Sequence, residues 1–259
     1  LKVILIPKAD FHKTFAVMTT NYGAIDNEFV PRGQQQAVRF PDSIAHFLEH
    51  KLFEKEDHDA FDLFGQYGAS ANAFTSFTQT SYLFSTTNHV RENLDILLDF
   101  VQEPYFTAAT VNKEKGIIGQ EIQMYDDDPG WQSYFGMIGQ LYPREPLHID
   151  IAGTVESIAQ ITADDLYAAY QTFYHPSNMS LVIVGQLEPE TVLAWITANQ
   201  ARKTFGPNEP IQRVASPQTP AAEIVPQTTR HLTVTRPKVS IGLRGYDEVP
   251  AGRAGLHYS

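Results

Sequence analysis

At 259 residues and 42% hydrophobic content, the chain can bury one large core, or one core plus part of another. Its formal net charge of −11 argues against nucleic acid as the main partner, because phosphate binding needs clustered Lys and Arg. It has no cysteine, so any bound metal must rely on His and carboxylate; the same absence fits a cytoplasmic protein. No run of eighteen apolar residues and no charged segment leading into an apolar one at the start is present, so neither a membrane partner nor an intact signal peptide is expected.

Residues 1–7 and 14–22 read as strands, with a loop through residue 40. Asp42 and Ser43 are good N-cap residues, and Ile44, Phe47, Leu48 and Leu52 follow at the spacing of one apolar helical stripe. That helix carries His46-Phe47-Leu48-Glu49-His50. Residues four apart lie one above the other on a helix, so His46 and His50 can each offer a ring nitrogen to one metal ion. Glu49 lies on the neighbouring side, within reach of a water on that metal without being a ligand, where a general base belongs. The order H-x-x-E-H is the inverse of the commoner H-E-x-x-H. A solvated helix face with two unrelated histidines would look the same, so the pentamer is suggestive and the third ligand must come from elsewhere.

A helix over 60–67 stops at Gly68, and two strands cover 71–85. Within the first, residues 72–75 alternate small and aromatic side chains, the pattern of a half-buried strand that can be interior or can present an edge. Val90, Leu94, Leu97, Leu98 and Val101 mark an amphipathic helix ending before Pro104. The next helix carries Glu114 and Glu121, two turns apart along one edge; one can bind the metal and the other support the site behind it. Gly116 and Gly119 weaken this helix by about 1 kcal/mol each, which suggests close approach to a neighbouring backbone. Asp126, Asp127 and Asp128 before Pro129 lack the spacing of a calcium loop and read as a helix end.

Helices near 130–141, 163–173 and 189–200, with a strand at 179–184, complete an α+β order: helices packed on one face of a mainly antiparallel sheet. His58 reads as a surface residue, with lining of the cleft as the lesser alternative, and His148 and His175 adjoin loops without a spaced partner. Pro207, Pro210, Pro217, Pro220 and Pro226 punctuate a linker, after which 230–235 and 239–245 read as strands.

His46-x-x-Glu49-His50, followed by Glu114 and Glu121, resembles the zinc signature of the pitrilysin/insulinase superfamily (peptidase family M16). The stretches 68–75, 121–129, 153–158 and 173–185 agree with that family in order and spacing, in the manner of its bacterial processing-protease-like branch. The resemblance implies a metallopeptidase lobe with one zinc ion, His46, His50 and Glu121 as ligands, Glu49 as catalytic base and Glu114 as the supporting carboxylate. It implies that the strand holding Asn72, Ala73 and Phe74 binds peptide by adding it as a further strand. It implies residues 1–205 as the catalytic lobe, 206–229 as an interlobe linker and 230–259 as the opening of a second homologous lobe, so that the chain reads as a fragment. That second lobe belongs to the same chain or to a partner, which leaves a homodimer or heterodimer open, and supplies Arg and Tyr side chains toward the scissile carbonyl. The expected function is zinc-dependent endopeptidase action on oligopeptides or unfolded segments, with weak or no activity in the fragment alone. A noncatalytic peptide-binding or partner subunit is the alternative, though it has no need of a base beside a metal site.

Overall fold

Strand alternation sets which side of the sheet is buried. In the computed structural model, which describes residues 1–245, β7 (Met179–Gly185) turns Met179, Leu181 and Ile183 inward and leaves Ser180, Val182 and Val184 half-buried on the other side. The same two-residue period runs through β1 (Lys2–Pro7), β2 (Thr14–Thr20), β5 (Ser70–Thr75) and β6 (Thr80–Thr86). The five strands form one sheet in the order β1-β7-β2-β6-β5, parallel only between β1 and β7. A two-residue ladder of β3 (Glu28–Phe29) and β4 (Val38–Arg39) interrupts the long loop before the first helix.

Helices α1 (Ile44–Phe53), α3 (Val90–Gln102) and α7 (Ala163–Phe173) contribute to the single core that the inner face of the sheet covers. Phe47, Leu48 and Leu52 of α1, Leu97, Leu98 and Val101 of α3, and Phe173 of α7 are wholly buried there. Burying each such side chain stabilises the fold by roughly 1.5–3 kcal/mol. The opposite face keeps Ile4, Ile6, Phe15 and Phe74 exposed, as the expectation of helices on one face requires. Helices α2 (Ala60–Gln66), α4 (Ala108–Asp126), α5 (Pro129–Leu141), α6 (Val155–Gln160) and α8 (Pro189–Ala201) complete the body. α2 ends where expected: Gly68 has φ +67°, and the bonds Gly68 N–H to Gly65 O and Ala69 N–H to Phe64 O close a Schellman cap.

Three sets of local expectations are corrected. Ser43 does not cap α1 through its side chain; it sits at φ 73°, and its buried hydroxyl has no partner among the described residues. Asp42 instead ties the preceding loop, accepting from Asn27 and Arg39. The left-handed Ser43 is fitted against Gly153, where a Cβ would come within 2.6 Å of Ser43 Cβ and where φ is itself +72°. Gly116 and Gly119 make no close approach, since a Cβ added at either meets nothing within 4 Å. Among the described residues, no strand forms in 230–245: Val239, Ile241 and Leu243 alternate correctly but are more than 80% exposed, with no sheet edge beside them to complete a ladder. The structure adds α6 to the expected elements, with a capping box between Thr154 and Ser157 at its start.

The Pro-rich segment after α8 has almost no regular structure, yet hydrogen bonds tie it to the body along its length. Backbone bonds from Val30 N–H to Gln212 O and from Val214 N–H to Glu28 O lay it beside β3, and Arg213 donates to Asp26 at 2.7 Å. Further on, buried Glu145 accepts from Thr219 and Arg244. No helix among the described residues is long and apolar enough to cross a membrane.

Candidate metal centre

α1 is buried on almost every side, because it packs against β5, β6, α3, α4 and α7 at once. Its polar residues are therefore held among packed neighbours rather than on a wet face. His46 and Glu49 are each only 7% exposed. α4 crosses α1 and turns Glu114 and Glu121 toward it; its start is fixed by a capping box between Thr107 and Thr110, and its end by the junction at Asp127 and Asp128. The acidic run 126–128 is thus a helix junction, as expected, with Asp128 accepting from the backbone of Gly130 and Trp131 at the start of α5.

Three donor atoms converge where these helices meet. His46 Nε2 lies 3.7 Å and His50 Nε2 3.4 Å from the same Glu121 Oε2, and one ligand atom from each residue falls within 4.8 Å of the others. Ligands at 2.0–2.1 Å around a tetrahedral ion stand roughly 3.3 Å apart, so the spacing is that of a metal site. The two carboxylates, which their residues alone left interchangeable, are now separated. Glu121 faces the Nε2 side, whereas Glu114 lies behind His50 and accepts from its Nδ1–H at 3.1 Å.

Electrostatics divides the two imidazoles. Burial, and then the neighbouring His50, lower the pKa of His46 to about 4, so its ring is neutral at pH 7. His50 is also desolvated, but hydrogen bonds to Glu114 and Glu121 overcome this and raise it to about 10. Glu121 falls to about 2, mainly through its bond to His50. His46 provides the test of fit. Among the described residues its buried Nδ1 has no partner, and its Nε2 at 3.7 Å is beyond hydrogen-bonding range of Glu121. A neutral ring aimed at a carboxylate across that gap suits a cation between them.

Glu49 stands beside this cluster with Thr75 Oγ1 donating to its Oε2 at 2.7 Å. Burial raises its pKa, and the Thr75 bond opposes that rise. Thr75 ends β5, the edge strand that carries Asn72, Ala73 and Phe74 along the rim of the same cavity. Asn72 and Phe74 are exposed, and the Ala73 N–H is engaged by Asn72 Oδ1 at 2.9 Å. The cavity measures about 750 Å³ and is walled by Phe53, Phe61 and Ile117 as well as by the charged pair Glu54 and Lys113. His58, exposed as expected, also lines it, whereas His148 lies in a short 3-10 turn and His175 caps another elsewhere. Two contacts escaped the sequence reading: Thr75 on Glu49, and Tyr125, whose hydroxyl donates to Glu121 Oε1 at 2.7 Å. The second had a signal, since Tyr125 follows Glu121 by four residues on one helix.

A family model described as insulinase (peptidase family M16) matches residues 41–154, and one described as the peptidase M16 inactive domain matches residues 160–253. The chain belongs to the M16 peptidase family. His46, Glu49, His50, Glu114 and Glu121 all fall within the first match. Over 258 residues the chain is 53% identical to an uncharacterized zinc protease, YmfH, of Bacillus subtilis (strain 168), covering 100% of this chain and 60% of that relative. A putative M16-like peptidase from Alicyclobacillus acidocaldarius superposes with a TM-score of 0.79 at 45% identity, over 83% of this chain and 50% of the other. The first half of the periplasmic protease PqqL from Escherichia coli shares the fold with a TM-score of 0.64 at 22% identity, over 80% of this chain and 46% of that chain. The chain thus spans 60% of that curated relative and half of the Alicyclobacillus structure.

Proposed function

We propose that this M16 chain carries the zinc-binding lobe of an endopeptidase, with His46, His50 and Glu121 as ligands and Glu49 as general base. The observation that carries this reading is the convergence of two Nε2 atoms and one carboxylate oxygen beside a buried glutamate. Zinc held by two imidazoles and a carboxylate lowers the pKa of a bound water toward about 7 and polarises a peptide carbonyl.

The chain's own residues supply the rest. Glu114 accepts the Nδ1–H of His50, which fixes the ring and leaves Nε2 to face the ligand cluster. Thr75 holds Glu49 Oε2, so the other carboxylate oxygen is available to take a proton from water and pass it to the leaving amine. The free edge of β5 offers backbone groups to an extended peptide, with Asn72 yielding the Ala73 N–H and Phe74 meeting a side chain. Residues 1–205 form the lobe on this reading. The irregular segment 206–229 is a linker to a second lobe, whose facing surface would close the cavity against water.

Glu49→Gln tests the reading. The amide still hydrogen-bonds water but accepts no proton, so zinc content stays at the wild-type value while cleavage of a mixed peptide library falls to a small fraction. Assay of the 259-residue chain alone and extended to the full length of its relatives separates the lobe's contribution from that of the second. Equal cleavage by Glu49→Gln and wild type in the extended protein removes Glu49 as the base.

A further inference from the structure

Tyr125 lies one helical turn beyond Glu121 on α4, so the two side chains share an edge. Its hydroxyl donates to Glu121 Oε1 at 2.7 Å, while Oε2 of the same carboxylate faces the two imidazoles at 3.7 and 3.4 Å. A carboxylate turning about its last bond presents two equivalent oxygens; the bond to Tyr125 removes that equivalence. The phenol is itself held. Its ring stacks on Trp131 of α5 with centroids 4.2 Å apart and planes 10° from parallel, and the Trp131 indole N–H donates to Asp150. Asp150 is fixed in turn by the Ala152 N–H at 2.9 Å.

We propose that Tyr125 is a positioning residue that locks the Glu121 carboxylate with Oε2 toward the metal, and that Trp131 and Asp150 hold Tyr125 in place for that task. The two partly exposed ligands then follow one plan: each is gripped on the side away from the ion, His50 by Glu114 and Glu121 by Tyr125. His46 has no such polar grip among the described residues; packing in the core holds its ring. The inference rests on the zinc reading of the cluster.

Tyr125→Phe tests it, since the phenylalanine ring preserves the stack on Trp131 and deletes only the hydroxyl. Affinity for Zn2+ is measured by chelator competition, and the coordination by the visible absorption of the Co2+-loaded protein. The expected result is a tenfold to hundredfold weaker affinity, the range for loss of a residue behind a ligand, with an altered Co2+ spectrum and an unchanged melting temperature of the metal-free protein. Trp131→Leu, which keeps the hydroxyl but loosens it, should shift affinity in the same direction by less. A Tyr125→Phe protein with wild-type Zn2+ affinity and Co2+ spectrum overturns the role of Tyr125 while leaving the centre standing. A wild-type protein that binds no metal, or binds it no better than Glu121→Ala, overturns the centre and the positioning role with it.

Discussion

The two helices that build the candidate centre hold their residues by different means. On α1, His46 and Glu49 sit in a helix buried on nearly all sides, and the packing that forms the core also aims the side chains. On α4, only Val111, Glu114, Ile118 and Ile122 are buried, and Glu121 is kept in place by polar partners, Tyr125 and His50. Disturbing α1 should therefore damage fold and site together, whereas disturbing the α4 carboxylates should damage the site alone.

The largest effect on the site is expected from Glu121→Ala. It removes one of the three proposed ligands from a residue with few packing duties, so the protein should retain no zinc after desalting while melting like the metal-free wild type. Metal content unchanged in this variant would place the third ligand elsewhere. Leu48→Ala probes the other helix: the side chain is wholly buried, and its truncation should destabilise the metal-free protein by about 2–5 kcal/mol, measured by urea unfolding. A smaller loss than that of an exposed helix residue would break the contrast between the two helices. The smallest effect belongs to Glu114→Ala, which leaves the ligands but frees His50 Nδ1, and should weaken zinc binding by roughly tenfold to a hundredfold. Metal loss as complete as in Glu121→Ala would mean that Glu114 is itself a ligand.

Legibility in the sequence followed how local each feature is. His46, Glu49 and His50 were readable because one helix fixes their geometry within five residues. Glu121 required the family resemblance, since spacing alone could not tell it from Glu114; only the crossing of α4 over α1 assigns one to Nε2 and the other to Nδ1. Tyr125 was within reach of helical spacing, but the approach of Trp131 from another helix, which makes its position firm, has no local trace. Ser43 misled because capping propensity was overridden by the close fit against Gly153. Gly116 and Gly119 misled for the opposite reason, since a missing side chain signals close contact and simple tolerance alike. Residues 239–245 show that alternation without a neighbouring strand does not make a strand.

X-ray absorption at the zinc edge of the purified, zinc-reconstituted protein, with the metal-to-protein ratio measured on the same sample, tests the central claim most directly. The account predicts one zinc per chain, with two imidazole nitrogens and carboxylate oxygen at about 2.0–2.2 Å and no sulfur. It also predicts that the imidazole signal falls by half when His46 is replaced by Ala. Zinc bound with no imidazole in its shell, or with a shell that His46→Ala leaves unchanged, would contradict a centre built from α1 and α4.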